Sequence, residues 1–203
     1  PFDGMYYDGQ KDAPGEPLLD FLKSERNSVF NADNKEQMYD WLEGVTDFNY
    51  PIQQYAAGIS YVDHMVGEVV AGLKSEGLYD KALIVLVGDH GEHLGEHQLY
   101  FTHSMPFDEA LKVPLVIKWP AGTHAGTVVP SAVSTVDVLP TILAITGRRA
   151  RAEMDGVDLS GLAANPSGAG HSVILAEEGP SSDRFVKAYV SGQWKLMVYW
   201  FDG

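Results

Sequence analysis

The run Lys81-Ala82-Leu83-Ile84-Val85-Leu86-Val87-Gly88-Asp89-His90-Gly91-Glu92 constrains this chain most. Residues 82–87 are continuously apolar and rich in β-branched side chains. Such a run predicts a strand buried on both faces, as in a parallel sheet covered by helices. Gly88 ends it, and Asp89 and His90 fall at its carboxyl end. Open α/β sheets bind ligands there.

The flanking pattern agrees. Ile52, Tyr55, Ile59, Val62, Val66, Val69 and Leu73 recur at alternating steps of three and four, which predicts one long helix over about 50–75 with a single apolar face. Pro51 suits its first turn and Gly77 its stop. A second buried strand is predicted at Val113–Trp119. A helix is expected from Ser134 or Thr135 to Ile145, with Gly147 after it and a kink or late start at Pro140. Residues 171–178 read as a third strand. Phe185–Val190 and Trp194–Tyr199 read as a hairpin about Ser191-Gly192-Gln193. Residues 1–17 and 147–170 read as loop, and residues 18–48 as one or two short helices. The expected fold is therefore α/β, a predominantly parallel sheet covered by helices with a small antiparallel β-rich tail. The segments are 1–48, irregular and short-helical; 49–147, the α/β core with the Asp89–His90 loop; and 148–203, loop plus β-rich end.

Composition removes several classes of function. The net charge of −14 repels phosphate backbones and anionic bilayers, so neither nucleic acid nor a membrane is an expected partner. The chain has no Cys, which excludes a disulfide framework, a thiolate zinc site and a catalytic thiol within these residues. The compartment stays open. No apolar run approaches the ~20 residues of a membrane span. The first residues, PFDGMYYDGQ, have neither an initiator Met nor the pattern of a signal peptide, so a processed or excised piece is expected.

Four of the seven histidines lie between positions 90 and 103, among Asp89, Glu92, Glu96 and Asp108. A dense His/carboxylate loop after a buried strand suits a metal or acid–base site. One option is a zinc pair, His93 and His97, four residues apart, although Gly91 and Gly95 disfavour a helix there and no HExxH pattern occurs. Ordering of the loop is the commoner use of such a pair. The other option is Asp89 with His90, which needs further ligands from elsewhere. Asp63 and His64 read as helix surface; His124 and His171 carry no functional reading.

The blocks Tyr61–Gly67, Gly88–His97 (GDHGEHLGEH) and Val113–Pro120 (VPLVIKWP) resemble the type I sulfatases of the alkaline phosphatase superfamily. So do residues 135–147 (TVDVLPTILAITG), 155–159 (DGVDL) and the closing SGQWKLMVYW. The resemblance runs over about 50–200 in the family's order. It implies an incomplete alkaline-phosphatase-like fold and a divalent cation held by Asp89 and His90. Calcium is expected first, with manganese, magnesium and zinc open. It also places His103 where the family carries a basic residue, often Lys, that contacts the sulfate. An imidazole there can donate to an anionic oxygen or protonate a leaving group, so His103 is the candidate catalytic residue.

The sequence departs from the family at the nucleophile. No C/S-x-P-x-R motif occurs: Ser104-Met105-Pro106-Phe107-Asp108 lacks the Arg and follows the DHG block instead of preceding it. No Asp-Asp pair occurs either. The expectation is thus the C-terminal portion of a sulfuric ester hydrolase, inactive alone, whose missing N-terminal half brings the nucleophile. Its substrate would be a sulfate-ester small molecule or glycan, and exposed apolar surface could make it a homo-oligomer. The alternatives are a phosphonate or phosphodiester hydrolase or phosphoglycerol transferase of the same superfamily, and a non-catalytic metal-binding module.

Overall fold

The structure is a computed structural model in which residues 2–23, 37–149, 153–181 and 184–201 are described. The chain divides into two compact units. One comprises Pro1–Tyr79 with His93–Thr102, the other Asp80–Glu92 with His103–Gly203.

In the first unit, residues 2–17 form turns and loop, as expected. A short helix α1 (Leu18–Lys23) follows, then a 3-10 turn at Gln37–Leu42 and the long helix α2 (Asn49–Ser75). Any helix over 24–36 lies outside the described residues. The core is small: Leu18, Leu22, Leu42 and Val45 are buried, with Phe21, Phe48, Tyr50, Tyr100 and Phe101 packed against them. Phe21, Phe48 and Tyr100 meet pairwise at 5.4–5.5 Å between ring centroids, mostly edge to face. Helix α2 ends as its sequence predicts, with Gly77 at φ 65° and the Leu78 N–H reaching back to the Leu73 carbonyl. Its apolar stripe is a different matter. Tyr55, Ile59, Val62 and Val69 are 43–60% exposed. The period made the helix, but only Ile52, Val66 and Leu73 of that face are half-buried. The same unit holds a short hairpin, β2 (His93–Leu94) with β3 (Tyr100–Thr102).

In the second unit, β1 (Ile84–Val87) pairs with β4 (Leu115–Lys118). A short helix α3 (Asp108–Leu111) lies between them in sequence. A 3-10 turn at Thr135–Asp137 leads into α4 (Val138–Ile145), so the helix starts late, two residues before Pro140. The loop expected over 147–170 contains one short helix, α5 (Ser160–Ala164). The C-terminal sheet is a meander of β5 (Ile174–Ser181), β6 (Arg184–Ser191) and β7 (Trp194–Phe201). Its last turn puts Gly192 at φ 56°, the positive φ that a two-residue hairpin loop requires.

The α/β class holds, but the strand direction differs from the expectation. Every strand pair among the described residues is antiparallel, β1 with β4 included. Continuous apolar composition reports how well a strand is covered, and it carries no information on the direction of its neighbour. Coverage is also incomplete, since Leu86, Val87 and Val116 are 39–57% exposed. No helix among the described residues is long and apolar enough to cross a membrane.

Candidate metal and acid–base site

Pairing of β1 with β4 continues one residue past the strand, where the Gly88 N–H donates to the Pro114 carbonyl at 3.1 Å. The chain then leaves the sheet and presents Asp89 and His90. Gly91 fixes the path. Its N–H donates to the Ala110 carbonyl at 2.8 Å, and a Cβ at this position would lie 1.9 Å from the Glu109 carbonyl oxygen. The glycine of the DHG block is therefore set by the close approach of α3.

Three contacts define the donors. The His90 N–H donates to Oδ1 of Asp89 at 3.0 Å, and Oδ2 of Asp89 lies 3.8 Å from Nε2 of His90. His90 Nδ1 lies 2.8 Å from the Gly91 carbonyl oxygen. A carbonyl only accepts, so Nδ1 is the donor, and Nε2 is the ring nitrogen on the side of the Asp89 carboxylate. A ring fixed in this way is the usual arrangement of a ligating histidine. The Asp89 carboxyl is held below its ordinary range, chiefly by the His90 backbone N–H. Its own N–H and the charge of His90 and His103 act in the same direction. Its side chain is 90% exposed and ionised at neutral pH.

His103 joins this pair. Its ring stacks on that of His90, with centroids 3.9 Å apart and planes at 27°. Its Nδ1 lies 3.6 Å from Oε2 of Glu92. Among the described residues, His90, Glu92 and His103 are the one set of three whose potential ligand atoms all lie within 4.8 Å of one another. By sequence Glu92 is only one carboxylate of the cluster, though alternation in an extended segment puts positions 90 and 92 on one side. The segment after His103 is tied to the C-terminal sheet. The Met105 N–H donates to Oε2 of Glu178 at 3.0 Å, and Lys195 Nζ donates to the Pro106 carbonyl at 3.2 Å and to Asp108. Met105 sits at φ 74° within that clamp.

The remaining histidines stand apart. His93 is buried in the first unit, with its ring edge-on to His97 at 6.3 Å, and the two join no third ligand among the described residues. His64 packs near Phe2 on the surface of α2. His124 lies edge-on to Trp119. His171, which the sequence left without a role, donates from Nε2 to both oxygens of the buried Asp137 at 2.9 Å.

Comparison with known proteins decides the family. The sulfatase family model matches residues 6–148. The chain belongs to the sulfatase family. A second model, the C-terminal region of N-sulphoglucosamine sulphohydrolase, matches residues 95–202 of this sulfatase chain. Arylsulfatase K of Mus musculus is 32% identical over 153 residues, which are 71% of this chain and 27% of that protein. A solved 2-O GAG sulfatase superposes with a TM-score of 0.63 at 21% identity, over 90% of this chain and 39% of its own. The phosphonate monoester hydrolase of Agrobacterium radiobacter superposes with a TM-score of 0.62 at 23% identity, over 80% of this chain and 36% of its own. The chain spans about a quarter of the curated relative and under two fifths of these solved chains.

Proposed function

We propose that this chain is the cation-holding portion of a sulfuric ester hydrolase that cleaves sulfate monoesters, with the nucleophile on sequence outside it. The observation that carries this reading is the carboxylate and imidazole side by side past the end of β1, 3.8 Å apart, with Nδ1 of His90 committed to the Gly91 carbonyl. A carboxylate oxygen beside an imidazole nitrogen is a donor pair that fits a divalent cation, and Asp89 and His90 would hold it. Calcium takes 6–8 oxygen ligands, so the rest of the shell comes from elsewhere in the longer protein. When bound, the cation supplies positive charge against the sulfate oxygens.

The chain's own residues do the rest of what can be assigned to it. Ionised Asp89 keeps its charge well into acid. The Gly91 carbonyl accepts from Nδ1 and fixes the orientation of the His90 ring. His103 offers an imidazole N–H to an anionic oxygen, or a proton to the leaving oxygen. The His103 side chain is 56% exposed, open enough for a substrate to reach. The open stripe of α2 and the bare faces of β1 and β4 fit the same reading, with the remainder of the catalytic domain covering them and adding the parallel strands. The substrate class is a sulfated small molecule or glycan.

The second reading, a phosphonate or phosphodiester hydrolase, is favoured by the shared fold of the phosphonate monoester hydrolase. The test uses the longer protein that contains this chain. It should release sulfate from an aryl sulfate faster than it hydrolyses an aryl phosphonate monoester. The reverse preference selects the second reading, and turnover of neither ester removes both.

A further inference from the structure

Residues 103–107 form neither helix nor strand, so His103 stands where its neighbours are held. Two side chains of the C-terminal sheet hold them. On β5, Oε2 of Glu178 accepts from the Met105 N–H at 3.0 Å. On β7, Nζ of Lys195 donates to the Pro106 carbonyl at 3.2 Å and to Oδ1 of Asp108. Glu178 lies opposite Val186 on β6, and Lys195 lies opposite Val190. Positions 186 and 190 share a face of the strand, so both grips rise from one face of the sheet. It is the packed face, since Val186 and Ala188 on it are fully buried. The Lys195 side chain is only 19% exposed.

Two further observations point the same way. Met105 sits at φ 74°, in the left-handed region that a side chain with a Cβ rarely adopts. Such a conformation persists where its surroundings over-determine it, and here a carboxylate takes the N–H of that same residue. The far end of the segment meets the Asp89–His90 turn, because the Ala110 carbonyl of α3 accepts from the Gly91 N–H at 2.8 Å. Lys195 fixes the start of α3 through Asp108, and α3 fixes Gly91. One grip thus registers the His103 ring against that of His90, 3.9 Å away.

We propose that Glu178 and Lys195 are positioning residues for His103: from the C-terminal sheet they set where its imidazole stands beside the Asp89–His90 turn. The placement rests on these contacts alone, whereas its kinetic consequence rests on the sulfatase reading and on the role given to His103. A donor to a sulfate or leaving oxygen must be within reach and aligned. Misplacing a reacting group by about 1 Å can cost about 100-fold in rate.

The test uses the longer protein that contains this chain, with its histidine rings labelled for NMR. Lys195→Met and Glu178→Met remove the grips, and Glu178→Gln keeps an acceptor for the Met105 N–H. Lys187→Met is the control, since Lys187 pairs with Glu177 on the opposite face of the same sheet. In both grip-removing variants the Overhauser contact between the His90 and His103 rings should be lost. Their kcat on an aryl sulfate should fall by up to about 100-fold, with little change in KM or in bound divalent metal. Glu178→Gln should restore contact and kcat, and Lys187→Met should alter neither. Circular dichroism checks folding, and if Lys195→Met does not fold the two Glu178 variants carry the test. If the unaltered protein turns over no sulfate ester, the sulfatase reading falls and the ring contact alone decides the positioning role. A ring contact kept in either folded grip-removing variant overturns the proposal. So does equal loss in Lys187→Met, no recovery in Glu178→Gln, or an activity loss matched by loss of metal.

Discussion

Two histidine–carboxylate assemblies in the second unit use the same residue types to opposite ends. Asp137 is fully buried and takes four contacts: the Ser134 N–H at 2.8 Å, the Val157 N–H at 2.8 Å and His171 Nε2 at 2.9 Å to each oxygen. Its acceptor capacity is used up, and it ties the start of α4 to residues 157 and 171. The Asp89, His90, Glu92 and His103 assembly is partly to fully exposed and keeps acceptor capacity in hand on the exposed Asp89 carboxylate. A saturated pair stabilises a fold, whereas a pair with open valence can bind something. Composition does not separate these cases, but the count of unused lone pairs does.

The largest effect that would break this contrast lies in the buried pair. Asp137→Ala leaves three donors without their acceptor, and loss of about 3 kcal/mol or more of stability is expected, at about 1–3 kcal/mol for each buried donor left unsatisfied. Denaturant unfolding measures it, and a cost like that of an ordinary surface change, within about 0.5 kcal/mol, would show that Asp137 is no latch. Next in size is Gly91→Ala, whose Cβ would meet the Glu109 carbonyl oxygen at 1.9 Å. The backbone must shift, so a cost of about 1–3 kcal/mol is expected, together with separation of the His90 and His103 rings. Nuclear Overhauser contacts between the two imidazoles would report that separation, and unchanged contacts would contradict the role given to this glycine.

The smallest effect concerns Asp89. Its folded carboxyl titrates below the unfolded one, so what the ionised form contributes is present above the ordinary Asp range. It is lost only as pH falls through the lowered folded value. Because the largest cause is the His90 backbone N–H, His90→Ala should keep most of the depression. A carboxyl-detected NMR titration distinguishes this from return to the ordinary ~3.9, which would make the imidazole the cause instead.

The contrast also marks what could be read from the sequence. Helix α2, strand β1 and the β6–β7 hairpin were legible because period and turn chemistry are local. Strand direction was not, since apolar content along 82–87 speaks of cover and not of orientation. Asp89 and His90 are singled out by their place after an apolar strand, and His103 by resemblance alone. Glu92 is named only as one carboxylate of the cluster, although its spacing from His90 was available. The Asp137–His171 pair was beyond reach, because its partners are 34 residues apart and no local pattern joins them.

The central claim is that Asp89 holds a cation required for sulfate-ester hydrolysis. The most direct measurement is divalent-metal content and aryl sulfate turnover of the longer protein, before and after Asp89→Ala. The account predicts that the unaltered protein carries bound divalent metal and releases sulfate, and that the variant loses both. Full metal content and undiminished turnover in a folded Asp89→Ala protein would contradict it.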